Sequence, residues 1–191
     1  MNIILASASP RRKEILENAG LEFSVCVAEI DETVEENLSA EKTAIKLAEK
    51  KASTVAKSYP NHIVLGVDTV VAVEDKILGK PKSEEDAVSM LKTLSGREHF
   101  VCTGVCIISK TTKKSFCQKT KVKFYNLTDE EIREYVKTGE PMDKAGAYGI
   151  QGKGCVFVQG IEGDYFNVVG LPVARTVKEL KKMNKKAPKS N

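Results

Sequence analysis

"HIVLGVDTVVAVEDKILGKP", residues 62–81, is the stretch on which the fold turns. His62 to Val67 is a nearly continuous apolar run, as expected of a central strand covered on both faces, and Val70 to Val73 is another. Glu74-Asp75-Lys76 then supplies a turn, so the chain doubles back. A second, longer hairpin is written further on, where residues 98–109 and 115–127 flank "KTTKK". Two hairpins exclude a purely parallel, doubly wound sheet.

Around these hairpins the periodicity changes to that of helices. Asn2 to Ala6 reads as a short buried strand, followed by a helix with Ser9 as N-cap, Pro10 in its first turn and Gly20 closing it. "FSVCVA" (residues 23–28) is a strand, and an acidic loop leads to a helix capped by Ser39 that runs to about Ser58. Ser83 and Thr128 cap two further helices, ending at Ser95-Gly96 and near Gly139. "EPMDKAGAYGIQGKG" (residues 140–154) has neither period and reads as a functional loop. A strand through Cys155 to Gln159, a loop over residues 160–172 and a last helix from about Pro172 complete the chain. The expected fold is α/β: a mixed β-sheet flanked by helices, in two lobes with a central cleft where a ligand would sit.

Residues 1–191 fit one domain with an adequate hydrophobic core. The net charge is +4, but residues 178–191, with six lysines and one glutamate, carry +5, so the rest of the chain is near −1. That balance, with no aromatic stacking platform, speaks against a nucleic-acid partner, and residues 178–191 are expected to be a flexible basic tail. Five cysteines without a C-x-x-C pair argue for a reducing, cytoplasmic setting, with Cys102 and Cys106 packed in the core. No apolar run reaches membrane-spanning length, so a membrane partner is not expected. His62 and His99 both read as partly exposed residues at strand beginnings. Phosphate-loop, dinucleotide, nucleophile-elbow and H-E-x-x-H signatures are missing.

Chemistry is suggested at two places. Acidic residues suit a helix's first turn, and Arg11, Arg12 and Lys13 are each disfavoured there by roughly 0.3–1 kcal/mol when exposed. A bound anion reverses that sign: the first-turn N–H groups, the hydroxyls of Ser7 and Ser9 and the guanidinium groups of Arg11 and Arg12 together suit a phosphate. A merely capped helix with solvated arginines is the equal alternative. Asp68, set between the two apolar runs, lies at or near the exit of a buried strand, where α/β proteins gather catalytic groups. A capping aspartate is the competing reading. Glu29, Asp31 and Glu32 offer hard oxygen ligands for a divalent cation, and Lys80 lies in "GKP". Lys51, on the border of an apolar stripe, reads by itself as a solvated lysine.

"LASASPRR", Asp31-Glu32, "LAEKKA", "GVDTVV", "GKP", "HFVCTGV", "DKAGAYGIQG" and "YFNVVGLP", in this order, resemble the Maf family of nucleoside triphosphate pyrophosphatases over nearly the whole chain. The resemblance implies a two-lobed mixed α/β fold related to inosine triphosphate pyrophosphatases. It also implies cleavage of a nucleoside triphosphate to monophosphate and pyrophosphate with a divalent cation, Mg²⁺, Mn²⁺ or Co²⁺. "DKAGAYGIQG" is similar to the branch acting on dTTP, UTP and modified pyrimidine triphosphates. By position, the proton acceptor falls on Asp68 and the specificity-linked positions on Arg11, Thr69 and Gln151. Arg12, Glu32, Lys51 and Lys80 match other polar residues of the cleft, and Glu32 with Asp68 are the implied metal ligands. The resemblance also implies a homodimer. The alternative function is a non-catalytic nucleotide-binding regulator of cell division. One departure touches the possible ligand loop: Asp164 stands where the family often has serine.

Overall fold

The computed structural model describes residues 2–31, 38–74 and 76–186. Seven strands form one mixed sheet: β1 (Ile3–Ala6), β2 (Phe23–Val25), β3 (Ile63–Val73), β4 (Lys76–Leu78), β5 (Glu98–Ile108), β6 (Lys113–Phe124) and β7 (Val158–Glu162). Their order is β2-β1-β3-β5-β6-β7, with β4 paired to β3 off this path. The α-helices are α1 (Pro10–Asn18), α2 (Ala40–Ser58), α3 (Glu84–Leu94), α4 (Asp129–Lys137), α5 (Tyr165–Val169) and α6 (Val173–Lys186).

The chain divides into two compact units. The first comprises Met1–Asp68, Thr103–Gln118 and Gly170–Asn191; the second comprises Thr69–Cys102 and Lys119–Val169. In the first unit, β1 pairs in parallel with β2 on one side and with β3 on the other, the latter pairing running from Ile3↔Ile63 to Ala6↔Gly66. The helices that follow β1 and β2 lead to strands on opposite sides of β1. The carboxyl end of β1 is therefore a topological switch point, the usual ligand position of an open α/β sheet. Its core contains Ile4, Ala6, Ala48, Ala52, Val55, Val64 and Cys106. Gly66 is required by close packing, because a Cβ there would strike the carbonyl oxygen of Ala48 and the backbone nitrogen of Ala52.

In the second unit, β3 continues into an antiparallel pairing with β4, Val71↔Leu78 to Val73↔Lys76, and β6 pairs antiparallel with β7. Its core gathers Leu91, Leu94, Phe124, Ile132, Tyr135, Tyr148 and Phe157. Ser83 caps α3 by accepting from the Asp86 N–H, and Thr128 with Glu131 forms a complete capping box on α4.

Several expectations change at this level. The strand expected over residues 23–28 is only Phe23–Val25. The two apolar runs around Asp68 are one eleven-residue strand, so Asp68 lies within β3 and not at its end. Residues 155–159 divide between a 3-10 turn, Lys153–Phe157, and β7, and the expected loop 160–172 contains α5. His99 is fully buried, not partly exposed, with Nε2 2.8 Å from the Tyr148 hydroxyl and T-shaped contacts to Phe124 and Tyr148. The basic stretch from Lys178 starts inside α6, where Leu180 and Met183 are buried. Cys102 and Cys106 are both in the core.

Candidate active site

All the close geometry of the candidate site lies in the first unit, at the carboxyl end of β1. Its parallel pairing with β3 ends at Ala6↔Gly66, while the pairing of β3 with β4 begins at Val71, so Asp68 occupies the stretch between two pairing regimes. A carboxylate can stand in the middle of a strand there because it has found a cation. Lys51 Nζ is 2.5 Å from Asp68 Oδ1, with the two side chains only 13% and 11% exposed. Burying either charge alone would cost several kcal/mol. Helix α2 makes the pair possible: its apolar stripe faces β3, and Lys51, on the edge of that stripe, carries its ammonium group up to the strand.

Arg12 ties this corner together. Its Nε donates to the Gly170 carbonyl at 2.9 Å, and Nη1 donates both to Ser7 Oγ at 2.8 Å and to the Val67 carbonyl at 3.0 Å. One guanidinium thus links the end of β1, the residue before Asp68 and the start of the final segment. Ser7 is buried, and its Oγ also accepts the Ser9 N–H at 3.3 Å.

Ser9 occupies the N-cap position of α1, but its side chain makes no capping hydrogen bond, and the first turn contains no acidic residue. This end of α1 therefore keeps its positive character beside Arg11 and Arg12, both half-buried. Lys13 instead points outward to Glu17, 3.7 Å away.

The other expected residues divide between the units. Thr69, half-buried, and Lys80 and Gln151, both exposed, belong to the second unit. Glu29 and Asp31 are exposed, and Glu32, an expected metal ligand, lies outside the described residues. Among the described residues no group of three or more His, Cys, Asp or Glu side chains gathers as a metal site. Asp68 is one hard oxygen donor. Mg²⁺ is commonly held by one or two carboxylates with phosphate oxygens and water completing its shell, so the donor chemistry fits a cation that arrives with a triphosphate.

Two further residues contribute to order: Asp164, noted in the sequence as a departure near the possible ligand loop, and Glu140, which sequence reasoning passed over. Asp164 caps α5, its Oδ1 accepting the N–H groups of Phe166 and Asn167 at 2.9 and 3.3 Å. A serine hydroxyl can cap a helix in the same way. Glu140 was read only as the first residue of an irregular loop, yet its carboxylate collects three donors from that region: Tyr135 Oη and the N–H groups of Lys153 and Gly154. No periodic pattern signals such a residue. Among the described residues no helix is long and apolar enough to cross a membrane.

Residues 2–183 match the family model described as "Maf-like protein". The chain is 57% identical over 181 residues to a Geobacillus protein named dTTP/UTP pyrophosphatase, covering 95% of this chain and 97% of that one. A Bacillus cereus protein of the same name is 54% identical over 182 residues, covering 95% of each. Among solved structures, the Ham1 protein of Staphylococcus aureus superposes with a TM-score of 0.43 at 17% identity, over 65% of this chain and 72% of that one.

Proposed function

Since the chain belongs to the Maf-like protein family, we propose that it hydrolyses dTTP and UTP to the monophosphate and pyrophosphate. It is a hydrolase, a nucleoside triphosphate pyrophosphatase. The observation that carries the reading is the buried Asp68–Lys51 pair at the switch point, next to the Arg12–Ser7 tie, in a chain more than half identical to enzymes of that name.

The chemistry follows from these groups. Asp68, paired with Lys51, orients the attacking water and accepts its proton as oxygen adds to the α-phosphorus. The bond to the bridging oxygen breaks, and pyrophosphate leaves with the electron pair. Ser7, Ser9, Arg11 and the first-turn N–H groups of α1 bind the phosphate chain, with Arg12 holding Ser7 in place. Lys51 takes its role toward the phosphate chain from the resemblance, with its position beside Asp68 in support. A divalent cation, held by Asp68 and by Glu32 as the resemblance implies, would neutralise charge on the phosphate oxygens. Thr69, Lys80 and Gln151 take their substrate role from the resemblance: Lys80 toward phosphate, and Gln151 toward the O4 and N3–H edge of the pyrimidine, which its amide can both donate to and accept from. The same chemistry on modified pyrimidine triphosphates would cleanse the nucleotide pool. A cytoplasmic homodimer completes the proposal.

The test uses pure protein with Mg²⁺ and a panel of dTTP, UTP, CTP, ATP, GTP and 7-methyl-GTP, with pyrophosphate and orthophosphate assayed separately. Pyrophosphate from dTTP and UTP, absent in Asp68→Asn, is expected. Orthophosphate as the sole product, or no turnover with Mg²⁺, Mn²⁺ or Co²⁺, would overturn the assignment.

A further inference from the structure

Within the second unit, Tyr135 of α4 and the segment 139–154 form a polar assembly around Glu140, a residue that none of the steps above uses. Gly139 turns the chain in the left-handed region, φ 75°, and delivers Glu140 beneath the loop that follows. Glu140 Oε1 accepts from Tyr135 Oη at 2.9 Å and from the Gly154 N–H at 3.3 Å, while Oε2 accepts from the Lys153 N–H at 2.9 Å. Tyr135 Oη in turn accepts the Gly149 N–H at 3.2 Å. Burial works against the charged form of Glu140, but these donors outweigh it and hold the carboxyl below its ordinary range.

Packing reinforces the same contacts. A Cβ on Gly152 would strike the Glu140 carboxylate, and one on Gly154 would press on Tyr135 Oη, so the backbone lies directly against the two side chains. The anchored positions are 149 on one side and 153 and 154 on the other. Between them stands Gln151, its side chain exposed. A short loop gripped at both ends constrains the backbone that carries its central residue, and a charged acceptor makes the grip stronger than neutral hydrogen bonds would.

We propose that Glu140, acting partly through Tyr135, is the positioning residue that fixes Gln151 toward the pyrimidine and so sets the base preference without touching the substrate. This rests on the reading of Gln151 given above. It makes Glu140 a determinant of discrimination, while the hydrolytic step at Asp68 proceeds without it.

The experiment measures kcat and KM for dTTP, UTP and CTP in the wild type, Gln151→Ala, Glu140→Gln and Tyr135→Phe, alongside hydrogen exchange of the amides of Lys153 and Gly154. In Glu140→Gln the preference for dTTP over CTP should fall about tenfold, chiefly through a higher KM for dTTP with kcat nearly kept, and both amides should exchange faster. Tyr135→Phe should move the ranking in the same direction by less, and it decides the matter by the same ranking and KM–kcat split if Glu140→Gln does not fold. If Gln151→Ala alters the ranking while Glu140→Gln speeds exchange and leaves the ranking intact, Glu140 is only a structural clamp and the proposal is overturned. If Gln151→Ala leaves the ranking unchanged, the reading of Gln151 itself falls, and the proposal with it.

Discussion

Lys51 and Asp68 allow stability and chemistry to be separated in one set of variants. The pair is 2.5 Å apart and about nine-tenths buried on both sides, so Lys51→Met leaves a carboxylate in a nearly dry strand with its ionic partner gone. Breaking such a pair costs about 3–5 kcal/mol; the slight exposure argues for the lower end, about 3 kcal/mol. For a chain of this length that corresponds to a loss of about 6–12 °C in Tm. Asp68→Asn costs less, about 1–2 kcal/mol, because the amide oxygen can still accept from the ammonium group. The double variant removes both charges and should return to within about 1 kcal/mol of the wild type. Activity should behave differently: Asp68→Asn lowers kcat at least about 100-fold, and the double variant, though stable, stays inactive. Urea unfolding followed by circular dichroism and a pyrophosphate-release assay give the two readouts. Additive stability losses in the double variant would refute the buried-pair argument, and more than a tenth of the activity surviving in Asp68→Asn would refute the role of that carboxylate.

Acid should destabilise the protein through His99, whose burial lowers its pKa from 6.5 to about 4. The unfolded chain takes up that proton first, so stability is full above about pH 6.5 and declines towards pH 4, by about 3 kcal/mol in all; His99→Gln should flatten this limb of a Tm-versus-pH curve, and an unchanged limb would assign it to other groups. Arg12→Lys keeps the charge but cannot reproduce three directed bonds to Gly170, Ser7 and Val67, so Tm should fall by several degrees and kcat/KM by about tenfold or more; a neutral result would show the tie to be dispensable. Deleting residues 178–191 removes the buried Leu180 and Met183, and should cost at least about 3 kcal/mol in a denaturation curve. A mere flexible tail would be lost without effect.

The sequence by itself determined the elements whose signals are local. Capped helices, two hairpins and continuous apolar strands follow from side-chain periodicity and from the caps at Ser39, Ser83 and Thr128, and the mixed sheet follows from their order. It also singled out Asp68, because a carboxylate between apolar runs must be answered by something. What answers it was not legible. Lys51 lies seventeen residues away on another element, and only the packing of α2 on β3 turns an apparently solvated lysine into the partner of a buried charge. The same holds for Arg12, whose acceptors lie as far off as Gly170, for His99, which reads as a half-exposed strand residue until Tyr148 and Phe124 enclose it, and for Glu140, whose donors come from α4 and from a loop without a period. Local patterns encode backbone geometry and solvent preference; the pairing of polar groups across distant segments is decided when those segments close out water and each buried donor and acceptor must be satisfied from within.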